Sequence, residues 1–369
     1  MKILHFMVSG EAGGIEVLNK DYAKHSKLEN IYFFFWQSGC IAEEMRNSGN
    51  NIIELNASKA DFFGPLKSVF DVCEKVKPAA IVVHYKAPVL YLYAMILKKK
   101  YPYMKIFAYV HENVGNPPEK LKKGLRSVLK ELIIRRFFQK ADGMIAISEF
   151  VKKAIIKCCN IPEQKIKMIY NGIDINRFQM PLHVPEEQRE LIYVGRLVAG
   201  KGVQNTIHAL AKLSEDICWH FSIVGEGDFR SELEKLVMQY QLESKIEFLG
   251  KRRDIPQLLS QSDIFVHVPY AAEGEEGFGI ALVEAMAAGL VCVCGKSGAI
   301  PEIISNNESG YLVKNVKSDE LSEKLTEIIE NIDSAQMKQL RNTAREKARF
   351  FSIESYTEKL DNFFVEKCT

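Results

Sequence analysis

The chain has 369 residues, a formal net charge of +2, and a composition of 47% hydrophobic, 26% charged and 10% aromatic residues. That length exceeds one ordinary core and predicts two domains, while the balance of apolar and charged residues excludes a disordered or fibrous chain. No apolar run reaches the ~18–20 residues of a membrane span, and the strand-like start from Met1 to Ser9 has no signal-peptide pattern after it. The expected location is the cytoplasm, with the inner face of the cell membrane as a peripheral alternative.

Taken in order, the first half alternates apolar runs with helical patterns: KILHFMVS after Met1, IYFFFW (31–36), NIIEL (51–55), AAIVVHY (79–85), KIFAYVH (105–111), GMIAIS (143–148) and KMIY (167–170). Near-continuous apolar strands separated by helices fit a parallel sheet covered on both faces, so a doubly wound α/β domain is predicted. The stretch NGIDINRFQMPLHVPEEQRE (171–190) has two prolines and no apolar period, and reads as the interdomain linker with a boundary at Phe178. The pattern then returns with LIYVG (191–195), HFSIVG (220–225), IEFLG (246–250), DIFVHV (263–268) and LVCVC (290–294). After Leu312 the chain turns helical and charged. The predicted class is thus α/β with two tandem doubly wound domains, 1–178 and 179–350.

Charge is unevenly shared. Residues 1–180 carry a net of +11 and residues 181–369 a net of −9. A basic half suggests an anionic partner: a membrane surface, a phosphorylated acceptor or nucleic acid. The eight cysteines form neither a C-x-x-C pair nor a Cys/His cluster, and read as buried reduced thiols rather than zinc ligands or disulfides.

Ligands of open parallel sheets sit outside the carboxyl ends of the strands, so the residues just after each strand are the candidates. SGEAGG (9–14) follows the first strand, and Gly10, Gly13 and Gly14 would let backbone amides approach a phosphate or a sugar at a helix start. The spacing is not G-x-G-x-x-G, which disfavours a dinucleotide site; a plain tight turn is the alternative. His111 ends the strand KIFAYVH, where a neutral imidazole can donate to a sugar hydroxyl or orient a phosphate. For His5 and His84, structural packing is expected instead.

The segment 117–140 combines eight Lys and Arg with apolar residues at helical spacing, and suits either an anionic membrane or a domain helix with a solvated basic face. Nucleic acid is not expected, because no DNA or RNA module accompanies the charge. In VGRLVAGKGV (194–203), Arg196 follows a strand and Lys201 stands at the next helix entrance; two cations on a glycine-bearing turn suit a diphosphate. IVGEGD (223–228) adds a second glycine turn after a strand. The stretch EGFGIALVEAMAAG (276–289) follows DIFVHVP, with Glu276 and the amides of Phe278, Gly279 and Ile280 in the loop and Glu284 inside the helix. Carboxylates at these places fit a ribose diol at Glu284 and sugar hydroxyls at Glu276. A surface loop beside a charged helix start is the plain alternative.

On these residues the chain resembles the retaining nucleotide-sugar glycosyltransferases of family four, which have the GT-B fold. The likeness rests on GGIE after the first strand, HEN after the fifth, NGID at the linker, VGRL with KG, IVGEG, the E-x7-E pair of Glu276 and Glu284, GAIPEII and SGYLV, and runs nearly end to end. It implies two Rossmann-like domains around an interdomain cleft, with the acceptor on the first and the nucleotide sugar on the second. Arg196 and Lys201 would hold the diphosphate, Glu284 the ribose and Glu276 the transferred sugar. His111 would sit beside that sugar, and Gly13 and Gly14 near the phosphate. Gly277, Phe278, Gly279 and Ile280 would complete the donor loop. The catalytic set implied is His111, Arg196, Lys201 and Glu276.

The resemblance further implies front-face substitution with retention, in which the leaving diphosphate helps to deprotonate the acceptor, a glycan or a polyprenyl-linked or other lipid-linked molecule. The setting would be cell-surface polysaccharide or glycolipid biosynthesis. No D-x-D occurs, so neither a metal nor any cofactor besides the donor is expected. The last helix, 351–369, is expected to cross back to the first domain. Two departures stand beside the donor loop: Tyr270 where many relatives carry serine, and an acidic AAEGEEG (271–277). Competing readings are a nucleotide-sugar epimerase or phosphorylase on the same fold, distinguished by donor conversion without acceptor, and a dinucleotide oxidoreductase, distinguished by tight NAD binding.

Overall fold

The computed structural model describes residues 1–58, 61–84, 87–112, 125–181, 187–270, 275–316 and 319–369. In the first half, the strands are β1 (Lys2–Ser9), β2 (Glu29–Gln37), β3 (Asn51–Glu54), β4 (Ala80–Val83), β5 (Lys105–Val110), β6 (Gly143–Ala146) and β7 (Ile166–Met168). They form a parallel sheet in the order β3-β2-β1-β4-β5-β6-β7. In the second half, β8 (Arg189–Val194), β9 (Trp219–Val224), β10 (Ile246–Gly250), β11 (Ile264–His267), β12 (Val291–Gly295) and β13 (Tyr311–Val313) form a second, in the order β10-β9-β8-β11-β12-β13. Every pairing there is parallel too.

Each order reverses direction once, between β1 and β4 in the first sheet and between β8 and β11 in the second. A reversal leaves a crevice at the carboxyl ends of the two flanking strands, which is where such sheets take ligands. Strands buried on both faces explain the unbroken apolar runs: all of β4, β6, β11 and β12 is buried. The short β13 was not among the predicted strands, because three residues carry no readable period.

Local signals set the helix ends. Ser148 caps Glu149–Cys159, its Oγ accepting from the Val151 amide at 3.1 Å, and Asn160 ends that helix in the left-handed region at φ 52°. Ser334 caps Ala335–Ala348 in the same way.

The chain divides into two compact units, Met1–Gly172 with Ile353–Thr369, and Ile173–Ser352. The first division therefore falls at Gly172 and not at the predicted Phe178. The Ile173 amide already donates to the Phe351 carbonyl at 2.9 Å, and Phe178 is buried. Residues 182–186 of the expected linker lie outside the described residues.

The last helix, Ile353–Cys368, belongs to the first unit. Its apolar face packs Phe363 and Phe364 on Phe107, with ring centroids 5.1 and 5.7 Å away. A buried carboxylate fixes its position. Asp361 accepts from Tyr22 Oη at 2.7 Å, Ser26 Oγ at 2.8 Å and the Lys27 amide at 2.9 Å. These bonds replace the water that the charge gives up on burial.

All eight cysteines are free, but only Cys73, Cys292 and Cys294 are buried, and Cys218 is exposed. Among the described residues, no helix is long and apolar enough to cross a membrane.

Candidate functional site

In the second unit, the loop after β8 is pressed against the end of β11. Gly202 holds φ +76°, and a Cβ there would lie 1.9 Å from the Val268 carbonyl oxygen, so only glycine fits this approach. The Tyr270 amide donates to the Gly200 carbonyl at 3.2 Å and ties the same two segments. This packing brings Lys201, from the β8 loop, to Glu276, from the β11 loop: Lys201 Nζ lies 2.6 Å from Glu276 Oε2. The backbone of Glu276 is pinned from the other side. Its carbonyl accepts from the Ala299 amide at 2.9 Å, and Gly298 at φ +55° leaves room where a Cβ would lie 2.1 Å from that oxygen.

A third group completes the cluster. His267, the last residue of β11, places Nε2 2.7 Å from the same Glu276 Oε2. Burial raises the Glu276 carboxyl, but the His267 hydrogen bond and the Lys201 charge outweigh it and hold the group ionised, well below the ordinary carboxylate range. The other nitrogen of His267, Nδ1, is buried with no hydrogen-bond partner among the described residues. Sequence reading missed His267 because it sits inside an apolar run; the available signal was a polar ring at the carboxyl end of a buried strand beside the reversal point.

The sequence-derived residues fall out as follows. Arg196 is exposed on the loop after β8, and its carbonyl accepts from the buried Tyr193 Oη at 3.0 Å. Lys201 and Glu276, assigned separately to a diphosphate and a sugar, are brought together as an ion pair. Gly279, at φ +100°, precedes the helix Ile280–Ala288 that carries Glu284, and Phe278 is buried edge-on against Phe351 at 5.5 Å. Gly277, between Glu276 and Phe278 in the chain, is buried too. Residues 271–274 of the acidic AAEGEEG stretch lie outside the described residues.

In the first unit, Gly13 and Gly14 are exposed at the start of the helix Gly14–His25, which follows β1. His111 comes directly after β5 and stacks on Tyr109 at 4.1 Å. It is joined to the two histidines expected to be mere packing. His84 Nδ1 lies 3.0 Å from His111 Nε2, His5 Nδ1 lies 2.9 Å from His84 Nε2, and His5 Nε2 lies 2.9 Å from Asn30 Oδ1. Burial lowers all three: His5 to about 4 despite the Asn30 bond, His111 to about 3, and His84 well below the usual value, helped by its two neighbours. The row is therefore neutral at physiological pH.

For the helix Leu125–Lys140, the apolar stripe splits. Phe137 and Phe138 are buried, whereas Val128, Leu129 and Leu132 are 45%, 57% and 58% exposed. Positions 117–124 of the predicted basic segment lie outside the described residues.

Two reversing parallel sheets in tandem define the GT-B class of glycosyltransferase folds. The family model "Glycosyltransferase Family 4" matches residues 41–177 and "Glycosyl transferases group 1" matches residues 174–349. The chain belongs to the family-four glycosyltransferases. It is 31% identical over 183 residues to the amylovoran biosynthesis glycosyltransferase AmsK of Erwinia amylovora, covering 48% of this chain and 45% of the relative. It is 28% identical over 235 residues to the N-acetylgalactosamine-N,N'-diacetylbacillosaminyl-diphospho-undecaprenol 4-alpha-N-acetylgalactosaminyltransferase of Campylobacter jejuni, covering 63% and 62%. The chain spans about half the length of the first curated relatives that it matches. The crystal structure of Anabaena HepE in complex with UDP and glucose superposes with a TM-score of 0.84 at 22% identity, covering 99% of this chain and all of HepE, a likeness of fold.

Proposed function

We propose that the chain is a retaining glycosyltransferase that moves a sugar from a nucleotide-diphosphate donor to a glycan or lipid-linked acceptor in cell-surface polysaccharide or glycolipid synthesis. The observation that carries this reading is the Lys201–Glu276–His267 cluster at the reversal point of the second sheet. A diphosphate arriving beside Arg196 and Lys201 competes with Glu276 for the Lys201 ammonium. In this reading, the carboxylate remains ionised through His267 and is then free to accept hydroxyl bonds from the transferred sugar.

Glu284 is assigned to the ribose, the Gly277 to Ile280 segment to the donor loop, and the first unit to the acceptor, with His111 beside the sugar and Gly13 and Gly14 near the phosphate. The sugar C1–O bond to the diphosphate breaks while a C1–O bond to the acceptor forms on the same face. The acceptor hydroxyl proton passes to the departing diphosphate oxygen. Arg196 and Lys201 stabilise the charge that develops there, so no metal is required. Support for a nucleotide-sugar donor comes from a neighbour crystallised with UDP-glucose, and for a lipid-linked acceptor from the Campylobacter relative's diphospho-undecaprenol substrate.

The test is a thermal-shift panel of UDP, GDP, ADP and dTDP sugars, since a ligand at 100 times its Kd stabilises by about 2.7 kcal/mol. The matching donor should raise Tm with EDTA present. No shift with any donor defeats the donor-site assignment, and inverted anomeric configuration in the product defeats retention.

The exposed Val128, Leu129 and Leu132, with Lys130 and Arg136 on the same helix, favour a peripheral contact with an anionic bilayer. Replacing Leu129 and Leu132 together by Ser should weaken sedimentation with phosphatidylglycerol vesicles by about tenfold, at ~0.8 kcal/mol per buried methylene for groups that insert only partly. Equal sedimentation of both proteins counts against the contact.

A further inference from the structure

The three-histidine row of the first unit has a direction. Asn30 Nδ2 faces the Leu28 carbonyl at 3.4 Å, which accepts only from a donor, so Asn30 presents Oδ1 to His5. An amide oxygen accepts, and His5 must therefore carry its proton on Nε2. Being neutral, His5 then offers a bare Nδ1, which forces the proton of His84 onto Nε2. The same step repeats at His84 Nδ1 and places the His111 proton on Nε2. The end of the row is the bare His111 Nδ1, buried and without a hydrogen-bond partner among the described residues.

We propose that His5 and His84, terminated by Asn30, are positioning residues that lock His111 as the Nε2–H tautomer and present its Nδ1 as a hydrogen-bond acceptor for a substrate hydroxyl. This rests on the reading of His111 as a sugar contact, and reverses the sequence-based expectation that its imidazole donates. The row carries orientation over a distance: β1, β2, β4 and β5 each hold or adjoin one member, so the sheet register fixes the spacing of the rings. Stacking of His5 on Tyr32 at 4.6 Å, of His84 on His111 at 5.3 Å and of His111 on Tyr109 at 4.1 Å prevents ring flips that would break it. A charged His5 or His84 would set an N–H against the N–H of the next ring and oblige that ring to invert. Neutrality is thus part of the device, and the burial that lowers all three pKa values preserves it.

The full-length protein, labelled with 15N-histidine, tests this by long-range proton–nitrogen correlation at pH 7.5. His111 should show one protonated Nε2 and one bare Nδ1, with no averaging between tautomers. His84→Phe keeps the ring stack but removes the bond, and Asn30→Leu removes the terminus three links away. Each should populate the Nδ1–H form of His111 while the melting transition remains cooperative. A His111 found as Nδ1–H or as imidazolium in the unsubstituted protein overturns the positioning row, and needs no variant to fold. An unchanged single tautomer in both folded variants overturns it too. Saturating UDP-glucose or GDP-mannose should shift the Nδ1 resonance as it accepts a hydroxyl. A locked Nε2–H tautomer that answers to neither sugar overturns the substrate contact, and with it the His111 role proposed above, while leaving the donor cluster of the second unit untouched.

Discussion

The two sheets share one topology and one kind of crevice, yet they finish their strands in opposite electrostatic states. At the reversal of the second sheet, three groups converge on one ionised carboxylate, Lys201 and His267 both meeting Glu276 Oε2. At the reversal of the first, three imidazoles and an amide form a neutral row. The backbone therefore supplies only a place, and side chains decide whether that place holds an ionic cluster or a neutral hydrogen-bonded row. An ionic cluster can exchange one partner for an incoming anion, whereas a neutral row resists rearrangement because every bond depends on the next.

The sharpest way to break this contrast is Lys201→Ala. It removes the cation proposed for the diphosphate, and transfer should fall about 100- to 1,000-fold with the fold intact by circular dichroism. An unchanged rate would make the cluster structural. Next in size is Asp361→Ala, which tests whether the first unit's own buried charge is held purely by structure. Three donors lose their acceptor, so urea unfolding should show a loss of about 3 kcal/mol, with no selective loss of donor binding to the second unit.

Smaller, and specific to the neutral side, is a pH effect. The three histidines have native pKa values lowered from an ordinary 6.5, to about 4 for His5 and about 3 for His111. Below about pH 6.5 the unfolded chain binds protons that the native row refuses, so stability falls as pH drops toward 4. Each such histidine contributes a slope of up to about 1.4 kcal/mol per pH unit. His84→Phe should flatten the profile between pH 6.5 and 5 by about that amount; an unaltered slope would mean that the row is already protonated there.

Much of the fold was legible because parallel strands covered on both faces are written as unbroken apolar runs, and twelve predicted runs match twelve of the strands. The boundary was less legible. Gly172 and Phe178 both lie in a polar, proline-bearing stretch, and tertiary contacts such as the bond from the Ile173 amide to the Phe351 carbonyl place the residues from Ile173 onward in the second unit. Lys201 and Glu276 stood out as candidates from their places after strands, but their mutual bond was not legible, since it joins loops 75 residues apart. His267 was hidden inside DIFVHV, and His5 and His84 were set aside as packing.

What the sequence alone determined is the architecture, because strand periodicity is a local property that physical chemistry reads without a partner. What tertiary structure alone decided is which polar groups share a proton or a charge. His5 and His84 are 79 positions apart and His84 and His111 are 27 apart. Only the strand order β1-β4-β5, with its parallel register, lines them up, and a hydrogen bond requires that alignment to within a few tenths of an ångström.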